Sequence, residues 1–139
     1  MLFRSPLARL AAPPGARFAT VDAETLSKLT LCLMYRESTQ REVIDALFAR
    51  LGYKPDIFLE TASNRANISM VRKGLSCSIV PYYYVKDVDC KEVAVLRLKE
   101  RPIWDVFACY KRNRYFTKAA QHFISLAEEF FKQEMTSPT

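Results

Sequence analysis

Apolar residues recur along the first half of the chain with two alternating periods. LTLCLMY at 29–35 is apolar nearly throughout, as in a strand covered on both faces. Thr39 and Glu42 then fit a capping box, and Gly52 supplies a left-handed C-terminal stop, so the pattern predicts a helix over 40–51. The apolar stripe of this helix comprises Val43, Ile44, Leu47, Phe48 and Leu51.

The next stretch repeats the alternation of strand and helix. IFLET at 57–61 predicts a strand, Ser63 or Asn64 can cap a helix over 65–73, and SCSIV at 76–80 predicts a third strand. Strands and helices that alternate with short links are typical of parallel βαβ units with right-handed connections. We therefore expect an α/β fold, with a small open sheet flanked by helices.

The second half of the chain follows a different order. KEVAVLRL at 91–98 and WDVFACY at 104–110 predict two further strands. Thr117 can cap a last helix over 118–132, which carries apolar residues at helical spacing. The tail at 135–139 is expected to fray.

Composition narrows the class of protein. The 139 residues are 50% hydrophobic and 26% charged, which favours a soluble globule of one compact domain or two small lobes. The net charge is +6, but no block of like charges occurs, so a nucleic-acid surface is only weakly indicated beside an ordinary solvated basic surface. No apolar run approaches the roughly 18–20 residues that span a bilayer.

The residues that usually carry catalysis or bind metal are not grouped here. The cysteines lack metal-ligand spacing, His122 is the single histidine, and no nucleophile–base pair is recognisable. We expect no metal site and no enzyme; a carboxylate pair of Glu37 and Glu60 is an alternative that the spacing does not require. Three cysteines lie in apolar runs and are expected to be buried: Cys32, Cys77 and Cys109.

Polar side chains follow the carboxyl ends of the three consecutive predicted strands. In a parallel sheet these ends share one edge, where ligands bind, and two of the loops open helices whose N–H groups attract anions. We expect a cradle for a small carboxylate or similar anion there, although the same residues also suit ordinary capping and packing. The candidate ligand-binding residues are Arg36, Ser38, Thr39, Thr61, Ser63, Pro81 and Tyr82.

One segment resembles a known family. ETAS…MVRKGLSCSIVP at 60–81 is similar to the effector-binding domain of LysR-type transcriptional regulators, in which a helix ends V-x-x-G-x-G-x-x-x-x-P. SPLA at 5–8 and RESTQREVIDALFARLGYKP at 36–55 agree in order, as do VAVLRL and DVFACYKRNRYFTKAAQHFISLAEEFF. Ser76 departs from the pattern, because a second glycine is usual there.

The resemblance implies a type 2 periplasmic-binding-protein-like fold, here a truncated two-lobe domain. Residues 1–28 would be the crossover from an incomplete first lobe, rather than the transit peptide that their arginines also suggest. Residues 29–85 would form the second lobe, and residues 86–134 the return strands and closing helix of the first lobe.

The resemblance also implies partners. The family binds a small-molecule effector between its lobes, at the residues given above, without a cofactor. DNA would be bound only through a helix-turn-helix domain missing from this chain, in the cytoplasm and without a membrane. A homodimer or higher oligomer would form through the helix at 40–51, with Arg41, Asp45 and Arg50 exposed. The alternative function is a periplasmic-type solute-binding protein in transport, or part of an enzyme.

Overall fold

The structure is a computed structural model. It describes residues 14, 17–86, 88, 93–112 and 115–135. The chain divides into two compact units, Met1–Trp104 and Asp105–Thr139.

Two parallel strands, each followed by a helix, form the centre of the first unit. Strand β2 (Thr30–Met34) leads into helix α2 (Thr39–Arg50), and strand β3 (Asp56–Thr61) leads into helix α3 (Asn64–Arg72). The strands pair in parallel with a bulge that leaves Phe58 without a partner residue. The predicted βαβ order is therefore confirmed for these elements.

The third predicted strand, 76–80, forms only one bridge, in which Cys77 pairs in parallel with Leu31. Cys32 N donates to Cys77 O at 2.8 Å, and Cys77 N donates to Thr30 O at 2.9 Å. The ladder stops there because the Ile79 carbonyl accepts from the Gln40 side chain, and Pro81 has no N–H to give. The prediction of a strand over 76–80 was wrong in extent, whereas its parallel place beside β2 was right.

The segment predicted as a crossover contributes to the core. It contains β1 (Thr20–Val21) and α1 (Ala23–Ser27), and β1 pairs in parallel with β4 (Arg97–Leu98). Only this part of the predicted strand at 91–98 is a strand among the described residues. The elements were missed because two-residue strands have no detectable period.

The main core lies between β2 and the elements on its faces. Phe48 and Leu31 are its largest fully buried side chains. Tyr53 and Ile57 pack against it at one border. The buried members of this cluster are Val21, Ala23, Leu26, Leu31, Leu33, Ile44, Leu47, Phe48 and Cys77.

The described residues of the second unit include the helix α4 (Lys118–Met135), which begins after Thr117 as predicted and extends beyond 132. The Thr117 hydroxyl caps it by accepting from Ala120 N at 3.1 Å. The prediction of a strand over 104–110 was wrong: these residues form no regular element and are mostly exposed. Cys109 is exposed rather than buried, because no partner strand covers this segment among the described residues.

Candidate functional site

The carboxyl ends of β2 and β3 lie side by side. Met34 pairs with Thr61, and Tyr35 N donates to Thr61 O at 2.9 Å. The segment around Cys77 runs along the opposite edge of β2, so β2 is central. We call the edge formed by residues 34–39, 61–66 and 79–82 the rim.

A pair of buried amides joins the parts of the rim. Gln40, in the first turn of α2, donates from Nε2 to Asn64 Oδ1 at 3.2 Å and to the Ile79 carbonyl at 3.3 Å. Asn64, the first residue of α3, donates back to Gln40 Oε1 at 2.9 Å. The Gln40 side chain therefore links the connections that follow β2, β3 and the Cys77 segment. These are the three connections that were expected to meet at one edge of the sheet.

The loop after β2 carries three of the predicted ligand residues. Arg36 is exposed, whereas Ser38 is buried at the N-cap of α2 and makes no side-chain capping hydrogen bond. The predicted capping box required Thr39 as the N-cap, whereas Thr39 is the first residue of α2, so that prediction was wrong. Thr39 is exposed and its Oγ1 accepts from the Trp104 indole N–H at 3.0 Å.

The hydroxyls after β3 are occupied within the loop. The Thr61 hydroxyl donates to Asn67 Oδ1 at 3.0 Å and accepts from Ser63 N at 3.2 Å. Ser63 Oγ accepts from Ala66 N at 3.3 Å and thereby caps α3, as predicted. Asn67 is fully buried, and its Nδ2 has no partner among the described residues. The Ser63 hydroxyl accepts in the α3 cap and so still has its proton to donate. The Thr61 hydroxyl is already used in hydrogen bonds within the loop.

Pro81 and Tyr82 form the third part of the rim. Pro81 precedes a short 3-10 turn, Tyr82–Tyr84. The Tyr82 hydroxyl accepts from an Arg17 guanidinium nitrogen at 3.0 Å, and its ring meets Phe18 edge-on at 6.2 Å. Tyr82 thus packs against the segment before β1.

A shallow crevice of about 350 Å³ lies at the start of α3. Of the predicted ligand residues, Ser63 lines it. Its aromatic wall is Tyr84 rather than Tyr82, and its cation is Arg65, which sequence reasoning missed. The position of Arg65 in the first turn of α3, two residues after the Ser63 cap, was the available signal, since first-turn residues border any ligand at a helix N-terminus. The lining residues are Met34, Ala62, Ser63, Asn64, Arg65 and Tyr84.

Arg41 is buried, which corrects the expectation that it is exposed on α2. Its side chain is 3% exposed, and it pairs with Asp45 at 2.7 Å and with Glu60 at 2.9 Å. The Nη1 nitrogen that bonds Glu60 also donates to the Met34 carbonyl at 3.1 Å, whereas the bond to Asp45 comes from Nε. These bonds fix α2 to the ends of both strands, so Arg41 is a positioning residue beneath the rim. Arg50 is exposed and Asp45 is partly exposed.

The Arg41 contacts change the titration of Glu60. The hydrogen bond from Arg41 lowers the pKa of the Glu60 carboxyl, and Arg36 adds to this through a backbone hydrogen bond and its charge. Glu60 is therefore an ionised partner of two arginines at neutral pH. This role differs from the alternative that the sequence left open, in which Glu60 forms a carboxylate pair with Glu37.

The described part of the chain offers no group of three or more side chains able to hold a metal ion. Within the same residues, no helix combines the length and apolar character that crossing a bilayer demands.

Comparison with known proteins decides the family. The model of the LysR substrate binding domain matches residues 2–132. The chain belongs to the LysR substrate-binding domain family. It is also 31% identical over 94 residues to the uncharacterized HTH-type transcriptional regulator YcgK of Bacillus subtilis, covering 68% of this chain and 28% of YcgK.

Solved structures confirm the fold of this LysR-family chain. The effector-binding domain of QuiR in complex with shikimate superposes with a TM-score of 0.66 at 22% identity, covering 94% of this chain and 58% of that one. HinK, a LysR family transcriptional regulator from Pseudomonas aeruginosa, gives a TM-score of 0.64 at 22% identity, with 85% and 42% covered. The type 2 periplasmic-binding-protein-like fold is thus confirmed.

The LysR family is one of effector-binding domains and not of enzymes, in agreement with the absence of a recognisable nucleophile–base pair in the sequence. The chain spans 28% of the curated relative and about half of each matched structure.

Proposed function

We propose that this chain is the effector-sensing part of a LysR-type transcriptional regulator, which binds a small anionic organic molecule at the rim. The observation that carries the proposal is the bond set of Gln40 with Asn64 and Ile79, which holds the three connections together. The regulator would act on transcription in the cytoplasm. Such a regulator would bind DNA through a separate helix-turn-helix domain.

The chemistry of the rim supports an anion. Helices α2 and α3 both begin there, and helix N-termini carry partial positive charge. Arg36 and Arg65 are exposed at the same edge and Ser63 can donate a hydroxyl hydrogen bond. Met34 and Tyr84 add apolar surface to the crevice, which suits an organic skeleton more than a bare inorganic ion.

One solved neighbour supports the same class of ligand. The QuiR domain is in complex with shikimate, a hydroxylated carboxylic acid. The rim offers matching groups for such a molecule: cations for the carboxylate and hydroxyls for its alcohols. In a two-lobed regulator, an effector that binds better to one lobe arrangement shifts the population of arrangements and so the geometry of the attached DNA-binding domains.

The experiment is a titration followed by amide chemical shifts in ¹H–¹⁵N spectra, since shifts detect weak binding. We would add shikimate, malate and inorganic phosphate up to about 10 mM, well beyond a Kd of about 1 mM. The expected result is saturable shifts confined to the rim for at least one carboxylate, with phosphate binding less tightly.

Charge variants locate the site. Arg65→Gln should weaken the binding, whereas Lys54→Gln removes an equally exposed charge from the loop after α2 and should leave it unchanged. Absence of saturable shifts with every probe, or shifts that map away from the rim, would overturn the proposal.

A further inference from the structure

Trp104 contacts the rim from a distant part of the chain. Its indole N–H donates to Thr39 Oγ1 at 3.0 Å across 65 positions of sequence. Trp104 is half-buried and is the single tryptophan of the chain. Neither the hydrogen bond nor a role for Trp104 was predicted from the sequence, because an isolated tryptophan has no pattern that indicates its partner.

The direction of this hydrogen bond determines what Thr39 can do. An indole N–H only donates, so the threonine oxygen acts as the acceptor and its hydroxyl proton remains available. The bond occupies one lone pair and thereby restricts the directions in which the O–H can point. Thr39 is the first residue of α2 and is exposed. It is therefore a hydroxyl donor held by Trp104 at a helix N-terminus.

Trp104 also occupies a particular place in the chain. It is the last residue of the first unit, and Asp105 begins the second. Its side chain is thus anchored to the rim at the point where the backbone leaves the first unit. Any ligand that rearranges the Thr39 hydroxyl acts directly on this anchor.

We propose that Trp104 is a positioning residue of the rim and the group through which ligand occupancy reaches the chain beyond residue 105. The inference rests on the proposed function, because it assigns regulation to the same site. Trp104 holds Thr39 as a donor to a ligand oxygen. Ligand binding in turn changes the environment of the indole.

The anchor is tested first without ligand, by the emission spectrum of Trp104 and its quenching by acrylamide. Thr39→Val keeps the side-chain shape and removes the acceptor, so emission should shift and quenching should increase. Thr39→Ser restores a hydroxyl and should return both to the wild-type values. A Thr39→Val protein that matches the wild type in both measurements would overturn the inference.

The coupling is tested next with the tightest-binding probe of the titration above. Trp104 emission should change saturably, and Thr39→Val and Trp104→Phe should each weaken binding about threefold to tenfold, as expected for one neutral hydrogen bond. Phe107→Leu, which alters an exposed aromatic residue three positions away, is the control and should leave affinity unchanged.

The outcomes separate the two proposals. Wild-type protein that binds a probe, with unchanged emission at saturation and equal affinity in Trp104→Phe, would remove the role of Trp104 and leave the sensing function intact. Wild-type protein that binds none of the probes would remove the sensing function, and with it this inference, even if Thr39→Val altered emission.

Discussion

Gln40 and Asn64 exchange two hydrogen bonds between the first turns of α2 and α3, with both side chains 6% exposed. Buried amides are costly unless paired, so this pair is specific for one arrangement of the two helices. The second bond of the Gln40 amide, to the Ile79 carbonyl, extends the constraint to the third connection. The shape of the rim therefore depends on this amide pair, of which Asn64 also lines the crevice.

We expect Gln40→Ala and Asn64→Ala each to lower the free energy of unfolding by about 1–3 kcal/mol, because each leaves a buried partner unpaired. The double variant should lose less than the sum, since both changes remove the same bonds. Urea denaturation measures these values. Gln121→Ala on the exposed face of α4 is the control, with a change within about 0.5 kcal/mol. Additive losses would contradict a direct interaction.

Replacement of Arg41 by Met should destabilise the protein in a pH-dependent way. The Arg41 hydrogen bond lowers the pKa of Glu60, so this contribution is complete above the unfolded pKa of about 4.3 and is lost as the pH falls through the lower folded pKa. The difference in urea midpoint between wild type and variant should be largest at neutral pH and should narrow in acid. A constant difference would mean that packing of the Arg41 stem dominates.

Truncation of a buried and of an exposed phenylalanine should lower the free energy of unfolding by different amounts. Phe48 is 1% exposed, and Phe48→Ala should cost about 3–5 kcal/mol through lost burial and a residual cavity. Phe58 lies at the β3 bulge and is 57% exposed, so Phe58→Ala should cost much less. Chemical denaturation of both variants checks this, and equal losses would contradict the assignment of the bulge.

Substitution of Gly52 measures the energetic cost of a left-handed backbone conformation. Its φ is +73°, and an added Cβ would meet nothing within 4 Å, so Gly52→Ala tests strain without a clash. We expect a loss of about 1 kcal/mol in unfolding free energy. Gly52→Asn should lose less, since Asn tolerates left-handed backbone better. Equal losses for the two variants would point to a cause other than φ.

Self-association is expected from the apolar side chains of α4. Phe123 and Phe130 are 71% and 56% exposed, and contiguous apolar surface favours association. Light scattering should show a mass that rises with concentration, and Phe123→Ser with Phe130→Ser should reduce it. Gln121→Ala serves as the control. A wild-type chain that stays monomeric at high concentration would count against this expectation.

Local signals predicted α2, α3 and α4, whereas the five-residue helix α1 was missed. The stripe through Ile44, Leu47 and Phe48 and the Ser63 and Thr117 caps lie where the sequence placed them, because side-chain spacing and capping act within one or two turns. The meeting of the ends of β2 and β3 with the segment after Cys77 also followed from βαβ order.

Long-range polar contacts could not be predicted in the same way. Arg41 was expected at the surface because a charged side chain suits water. It is buried instead, and its ion pairs with Glu60 and Asp45 compensate that burial. The indole bond to Thr39 and the amide pair depend on tertiary placement, which no local period records. The prediction of a strand over 104–110 was wrong because a strand needs a neighbouring strand to pair with as well as residues of high strand propensity.

The contact of Ala23 with Glu100 has a consequence for synthesis of the chain. The Glu100 carboxylate accepts from Ala23 N at 3.0 Å, 77 positions apart, beside the β1–β4 pair. On the ribosome, Thr20, Val21 and Ala23 precede β2 and β3 but acquire these partners only after residue 100 has left the exit tunnel. The pairing of β1 with β4 therefore forms later in synthesis than the segments of the β2–β3 pair become available.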